Sequence, residues 1–213
     1  MMNLAIQQTL LPGDDLVEKF ENAAAFGFDG VEIAAWGFPG PVYAYGDEIR
    51  EAMDASGLAV STLCPSGDDD FVHPDPAERE RRLAGLVRTL SLVEALGARG
   101  AIALPIRNPM HLPDLSPVAS ERELITDLAV VALASALEAT RGAEARILLE
   151  PLNRYEAYYL RTLADGAALC GRVADPRVQI MADLFHMNIE EVDVGAALRD
   201  AGAYVGHVHL ADS

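Results

Sequence analysis

Seven short apolar runs, separated by longer amphipathic stretches, constrain the fold of this 213-residue chain more than any other feature. The runs lie at 3–8, 30–35, 59–65, 100–106, 146–152, 178–185 and 205–212. The stretches near 14–26, 46–56, 77–96, 120–141, 162–174 and 192–201 read as helices. In the third of them Leu83, Leu86, Val87, Leu90, Val93 and Leu96 fall on one helical face. Strands alternating with helices of this length imply right-handed βαβ units and a parallel sheet.

The punctuation agrees with that spacing. Gly27, Gly57, Gly97 and Gly202 each follow a helix and precede a strand, the place for a left-handed helix stop. Asp75-Pro76-Ala77-Glu78 puts a cap, a first-turn proline and a carboxylate in order, and Ser120/Glu123 and Thr162/Asp165 have capping-box spacing. Asp175-Pro176 marks the turn after the fifth helix.

A doubly wound open sheet and a (β/α)8 barrel both fit. No GxGxxG follows the first strand and no GxxxxGK[ST] occurs, which weakens the nucleotide-binding readings of an open sheet. The residues able to do chemistry stand at the ends of strands five, six and seven, which is the barrel arrangement. The expected fold is therefore an α/β (β/α)8 TIM barrel over 1–213, with about seven strands and six helices present and the eighth βα unit missing. The irregular stretch 108–119, broken by Pro109, His111, Pro113 and Pro117, is expected to form a lid or rim loop.

Composition narrows the partners. A net charge of −17 opposes nucleic acid, whose affinity rests on Lys and Arg neutralising phosphates. It leaves room for a small anionic substrate, because a metal or a local Arg reverses the field inside a cleft. No apolar run reaches the roughly 18 residues of a membrane span, and the start lacks the basic and small-residue features of a secretory signal. Cys64 and Cys170 form no CxxC and read as reduced thiols of a cytoplasmic protein.

Three clusters carry the chemistry: Glu150 in ILLEPLNRYE, Asp183 with His186 in IMADLFHMNIEE, and His207 with His209 in VGHVHLADS. A carboxylate after Ile147-Leu148-Leu149 is costly to bury without a cation or donors; otherwise it is an ordinary strand-end acid. Asp183 and His186 lie three apart where a strand turns into a loop; the alternative is a helix-capping Asp beside a core His. His207 and His209 flank Val208 and share one face, with His209 nearer the carboxyl end. Glu32 reads either as a substrate ligand or as a buried acid tying the barrel floor together. Trp36 reads as a wall for a sugar ring or as rim packing, and His73 and His111 read as solvated loop residues.

Glu, Asp and His donors without a thiolate suit Mn²⁺, Mg²⁺ or Co²⁺, and also accommodate Zn²⁺. Such an ion polarises a carbonyl and its neighbouring hydroxyl while a carboxylate removes the proton between them. That is enediolate chemistry, the core of sugar isomerisation and epimerisation.

The motifs EPLNRYE, DLFHMNIEE and GHVHLAD, with GFDGVEI and ALGARGAIALP before them, resemble the xylose-isomerase-like TIM barrels. The resemblance is to the sugar isomerase/epimerase branch that includes the ketose 3-epimerases and hydroxypyruvate isomerase. It implies Glu150, Asp183 and His209 as ligands of one divalent ion, with Mn²⁺ first. It implies Glu150 also as an acid/base, and Glu156 and His186 as holders of the substrate's oxygens. The family's fourth ligand and opposite acid/base, a Glu ending the eighth strand, lies beyond the sequence, as does an Arg after the seventh. Asp212 matches the acid after the seventh-strand His. With three of four ligands, the chain is expected to bind metal weakly and turn over poorly. The partner is a small sugar or sugar derivative, with homo-oligomers as in the family.

Alternatives stay open on the sequence alone. A dehydratase or lyase acting on a sugar or cyclitol would use a similar site, and a barrel binding a sugar or a protein without turnover is a non-enzymatic reading. An endonuclease IV-type repair enzyme shares the DxxH motif. It needs further histidines on earlier strands, where Cys64 and Pro105 stand instead.

Overall fold

The computed structural model describes residues 2–64, 72–104, 112 and 115–212. They fall into two compact units. One holds the described residues of Met1–Ser66 with Arg88–Ile102 and Ala143–Ala145; the other holds those of Gly67–Val87, Ala103–Gly142 and Arg146–Ser213.

The first unit is a run of βαβ repeats. β1 (Ala5–Gln7), α1 (Leu16–Ala25), β2 (Gly30–Ala34), α2 (Gly46–Ser56), β3 (Ala59–Cys64), the second half of α3 (Pro76–Leu96) and all but the last residue of β4 (Gly100–Ala103) follow in order. Each strand pairs in parallel with the next, with Ala5 opposite Gly30, Val31 opposite Val60 and Thr62 opposite Gly100. Every residue of β2 is buried, as a strand covered on both faces requires. Phe20, Ile33, Ile49 and Leu63 are fully buried around it, each worth about 1.5–3 kcal/mol of transfer energy. The four helix-stop glycines all take positive φ. Gly57 shows why: at φ 73°, ψ 7° it closes α2 while its N–H reaches the Met53 carbonyl at 2.8 Å.

The second unit contains α4 (Glu121–Ala139), β5 (Arg146–Leu149), α5 (Leu163–Val173), β6 (Val178–Asp183), α6 (Leu184–Glu190), α7 (Val194–Ala201) and β7 (Val205–His209). β5 pairs in parallel with β6, and β6 with β7. Ile147, Leu148, Leu149, Ile180, Met181 and Ala182 form an unexposed strand core, joined by Ile125, Leu133 and Leu160. Both capping boxes form. Ser120 Oγ accepts from Glu123 N while Glu123 Oε2 takes the Ser120 N–H, and Thr162 pairs reciprocally with Asp165.

The structure adjusts several expectations. The strands stop earlier than the apolar runs: β5 ends at Leu149 rather than 152, and β6 ends at Asp183. A seventh helix, α6, begins directly at Leu184, where the sequence reads as strand and then loop. Its seven residues are too few to show a period. In α3 the buried side chains are Thr89, Leu90, Leu92, Val93 and Leu96, so only the second half of the expected stripe is core. Of the expected lid or rim loop, 115–119 form a turn closed by a Leu115–Ala119 bridge; 108–111, 113 and 114, with Pro65, Pro105 and Ile106 of the expected strands, lie outside the described residues.

Candidate metal centre

The centre is built in the second unit from the residues that end β5 and β6. Glu150 follows β5 immediately and is only 5% exposed. Its backbone N–H donates to the Ala103 carbonyl at 3.1 Å. Three apolar residues drive the strand inward, and the carboxylate is carried in with them.

Asp183 ends β6 and caps α6. Its Oδ1 accepts the Phe185 N–H at 2.7 Å, so the helix start fixes that oxygen. The second oxygen, Oδ2, lies 3.5 Å from His209 Nδ1. The contact follows from register, since Asp183 is opposite His209 in the β6–β7 ladder. Burial pushes the Asp183 carboxyl up, but the bond with His209, the neighbouring His186 ring and the Phe185 N–H together outweigh it and hold the group below its ordinary value.

His186 sits in the first turn of α6, buried, with Nε2 3.6 Å from Glu150 Oε1. Glu150, Asp183 and His186 each offer one ligand atom within 4.8 Å of the others. Two buried carboxylates this close are stable only beside positive charge. The oxygen and nitrogen donors fit a divalent cation better than a soft, thiolate-seeking one.

β7 delivers its histidines as the alternation requires. The His207 and His209 rings meet edge to face at 5.5 Å, while Val208 between them is exposed. Asp183 thus stands between two imidazoles: His186 on its own helix and His209 across the ladder. Glu156 is exposed, and its Oε1 accepts from Asn153 Nδ2 at 2.9 Å. Asn153 is 1% exposed and also lies 2.9 Å from His186 Nδ1. Sequence reading assigns it no role, although it stands inside the EPLNRYE motif; a polar residue in an apolar stretch after a strand is the available signal.

Glu32 is buried in β2, receiving Gln7 Nε2 at 3.0 Å and Thr62 Oγ1 at 2.6 Å. Trp36 is exposed on the turn after β2. His73 Nδ1 accepts the Asp75 N–H at 3.1 Å, at the start of α3. Both cysteines are buried, and burial pushes the Cys170 thiol up to about 12, which keeps it protonated. His111 is outside the described residues.

Parallel βαβ repeats that carry acids and imidazoles at the carboxyl ends of their strands define an α/β protein with an oxygen- and nitrogen-donor site. The chain belongs to the xylose isomerase-like TIM barrel family, whose sequence model matches residues 20–213. It is 34% identical over 221 residues to the 3-dehydro-D-guloside 4-epimerase of Escherichia coli, covering 100% of this chain and 80% of that protein. It is 30% identical over 202 residues to the D-psicose 3-epimerase of Ruminiclostridium cellulolyticum, covering 90% of this chain but 65% of that one. Among solved structures, an apo E. coli 3-keto-D-glucoside 4-epimerase superposes with TM-score 0.84 at 30% identity, over 100% of this chain and 80% of its own. Among the described residues, no helix is long and apolar enough to cross a membrane.

Proposed function

We propose that this chain belongs to a sugar epimerase that moves a proton beside a carbonyl with the help of one divalent ion, Mn²⁺ first. Glu150, Asp183 and His209 would hold the ion. The observation that carries the reading is Asp183 itself. One of its oxygens is tied to a helix start and the other meets His209, while the carboxylate offers an oxygen within 4.8 Å of ligand atoms of Glu150 and His186. The names of the relatives support it: they epimerise 3-dehydro-D-guloside, D-psicose and L-ribulose.

When bound, the ion polarises the substrate's carbonyl and the adjacent hydroxyl. Glu150 then takes the proton from the carbon between them. The C–H electron pair forms the carbon–carbon double bond as the carbonyl oxygen takes up negative charge, giving an enediolate. A proton of solvent origin, delivered by a second acid to the opposite face of the same carbon, would invert it, while Glu150 releases its own proton to solvent. Return of a proton to the neighbouring carbon would give an isomer instead. Glu156 and His186 would hold substrate oxygens during the transfer. Burial of Glu150 and Asp183 keeps water from competing for the same protons. A neutral sugar also suits a chain of charge −17, which repels a polyanion such as DNA.

Calorimetric titration with Mn²⁺ tests the centre. One-to-one binding is expected, lost in Glu150→Ala and in Asp183→Ala; binding retained in both variants would overturn the assignment. Incubating D-psicose, L-ribulose and a 3-keto-glycoside in D₂O with the Mn²⁺-loaded protein tests the reaction. Deuterium is expected at the carbon beside the carbonyl, and inversion without exchange would rule out the proton-transfer route.

A further inference from the structure

The loop after β5 runs Pro151-Leu152-Asn153, and Asn153 is enclosed there. Its carboxamide is engaged at both ends. Oδ1 accepts the Tyr155 N–H at 2.9 Å, and Nδ2 donates to Glu156 Oε1 at 2.9 Å. Turning the amide over would set its NH₂ against an N–H and its oxygen against a carboxylate, so the orientation is fixed by its partners. The atom 2.9 Å from His186 Nδ1 is therefore a donor. The backbone N–H of Asn153 points at the same ring nitrogen, at 3.3 Å.

A ring nitrogen facing two N–H donors presents its lone pair and carries no proton. Neutral imidazole must then hold its proton on the other nitrogen. In His186 that nitrogen is Nε2, 3.6 Å from Glu150 Oε1. We infer that Asn153 is a positioning residue that locks His186 as its Nε2–H tautomer, so that His186 offers the centre a proton donor and not a metal-binding lone pair. Proximity alone would make His186 a ligand, since it stands with Glu150 and Asp183, whereas His209 meets Asp183; the lock removes His186 from that role. What the donor acts on, an oxygen of a sugar, rests on the function proposed above. The tautomer does not.

The test is long-range ¹H–¹⁵N NMR on the metal-free chain labelled with [¹⁵N]histidine, near neutral pH. His186 is assigned by its loss in His186→Gln. In the wild-type chain, a bare Nδ1 and a protonated Nε2 are expected; a proton on Nδ1, in a neutral or a cationic ring, overturns the inference. Asn153→Asp replaces the donor with an acceptor of the same size. It is expected to shift the ring at least tenfold towards Nδ1–H, and a ring that stays bare at Nδ1 removes Asn153 from the role. If the extra charge prevents folding, Asn153→Ser substitutes a rotor without fixed polarity. A mixed ring is then expected, and an unchanged one again removes Asn153. The Mn²⁺ titration reads separately. A bare Nδ1 without Mn²⁺ binding keeps the lock and discards the metal centre; Mn²⁺ binding with a protonated Nδ1 does the reverse.

Discussion

Gln8 and Asn153 are both carboxamides, both buried to within 2% of full enclosure, and both lie just beyond a strand, yet they serve different ends. Gln8 closes on a single residue. Its Nε2 donates to the Ala34 carbonyl and its Oε1 accepts the Ala34 N–H, each at 2.7 Å. The side chain stands in for a strand partner at the end of β2. Asn153 instead divides its amide among a backbone N–H, a carboxylate and an imidazole. Backbone partners never change protonation, whereas a ring and a carboxylate do. The identity of the partner therefore separates framework from site where burial does not.

The largest expected effect breaks the framework side. Gln8→Ala leaves the N–H and the C=O of Ala34 unpaired in the core, at about 1–3 kcal/mol per group. Urea unfolding should show a loss of about 2–4 kcal/mol, while Mn²⁺ affinity of the folded protein stays within about twofold. An unchanged midpoint would mean that water or a backbone shift replaces both bonds.

Asp183 joins the two roles in one side chain, so it sharpens the contrast next. Asparagine is as good a helix cap as aspartate. Asp183→Asn should therefore keep the bond to Phe185 N–H, and with it neutral-pH stability to within about 1 kcal/mol. Losing the charge should weaken Mn²⁺ binding on the order of 100-fold, about 2.7 kcal/mol. Calorimetry and urea melts on one preparation read both. If stability falls while metal binding survives, the carboxylate is framework only.

Local bonding and burial explain which of these features are legible in the amino-acid sequence. Helix starts at Ser120 and Thr162 are readable because a capping box is a local exchange of bonds that depends on residues three apart. Strand centres are readable because burial on both faces leaves unbroken apolar runs. Strand ends are not: Leu152 and Phe185 continue the apolar pattern, but the first packs in a loop and the second lies in α6. Glu150, Asp183 and His209 stand out as polar groups at the ends of such runs. Asn153 does not, because its role depends on His186, 33 residues away, and on an amide orientation that no spacing encodes.

The smallest effect concerns the neighbour of Asn153. Arg154 donates its backbone N–H and its Nε to Glu190 Oε1, at 2.6 and 2.7 Å, tying the loop after β5 to the end of α6. Its guanidinium is half exposed, so the ion pair is worth about 0.2–1 kcal/mol. Glu190→Gln keeps an oxygen for the backbone donor and removes the charge. The Arg154 side-chain bond holds the Glu190 carboxyl below its ordinary 4.5, against a smaller upward push from burial. A group depressed in this way stabilises the folded state fully above 4.5 and loses that contribution as the pH falls through its folded value. The variant's deficit should accordingly be largest at neutral pH, vanish in acid and shrink in salt. A deficit that persists at low pH and high salt would trace to loop packing rather than charge. In either case the His186 ring should keep its tautomer, because Arg154 acts on the loop's backbone and not on the Asn153 amide. A changed ring in Glu190→Gln would show that the lock depends on loop position as well as on amide polarity.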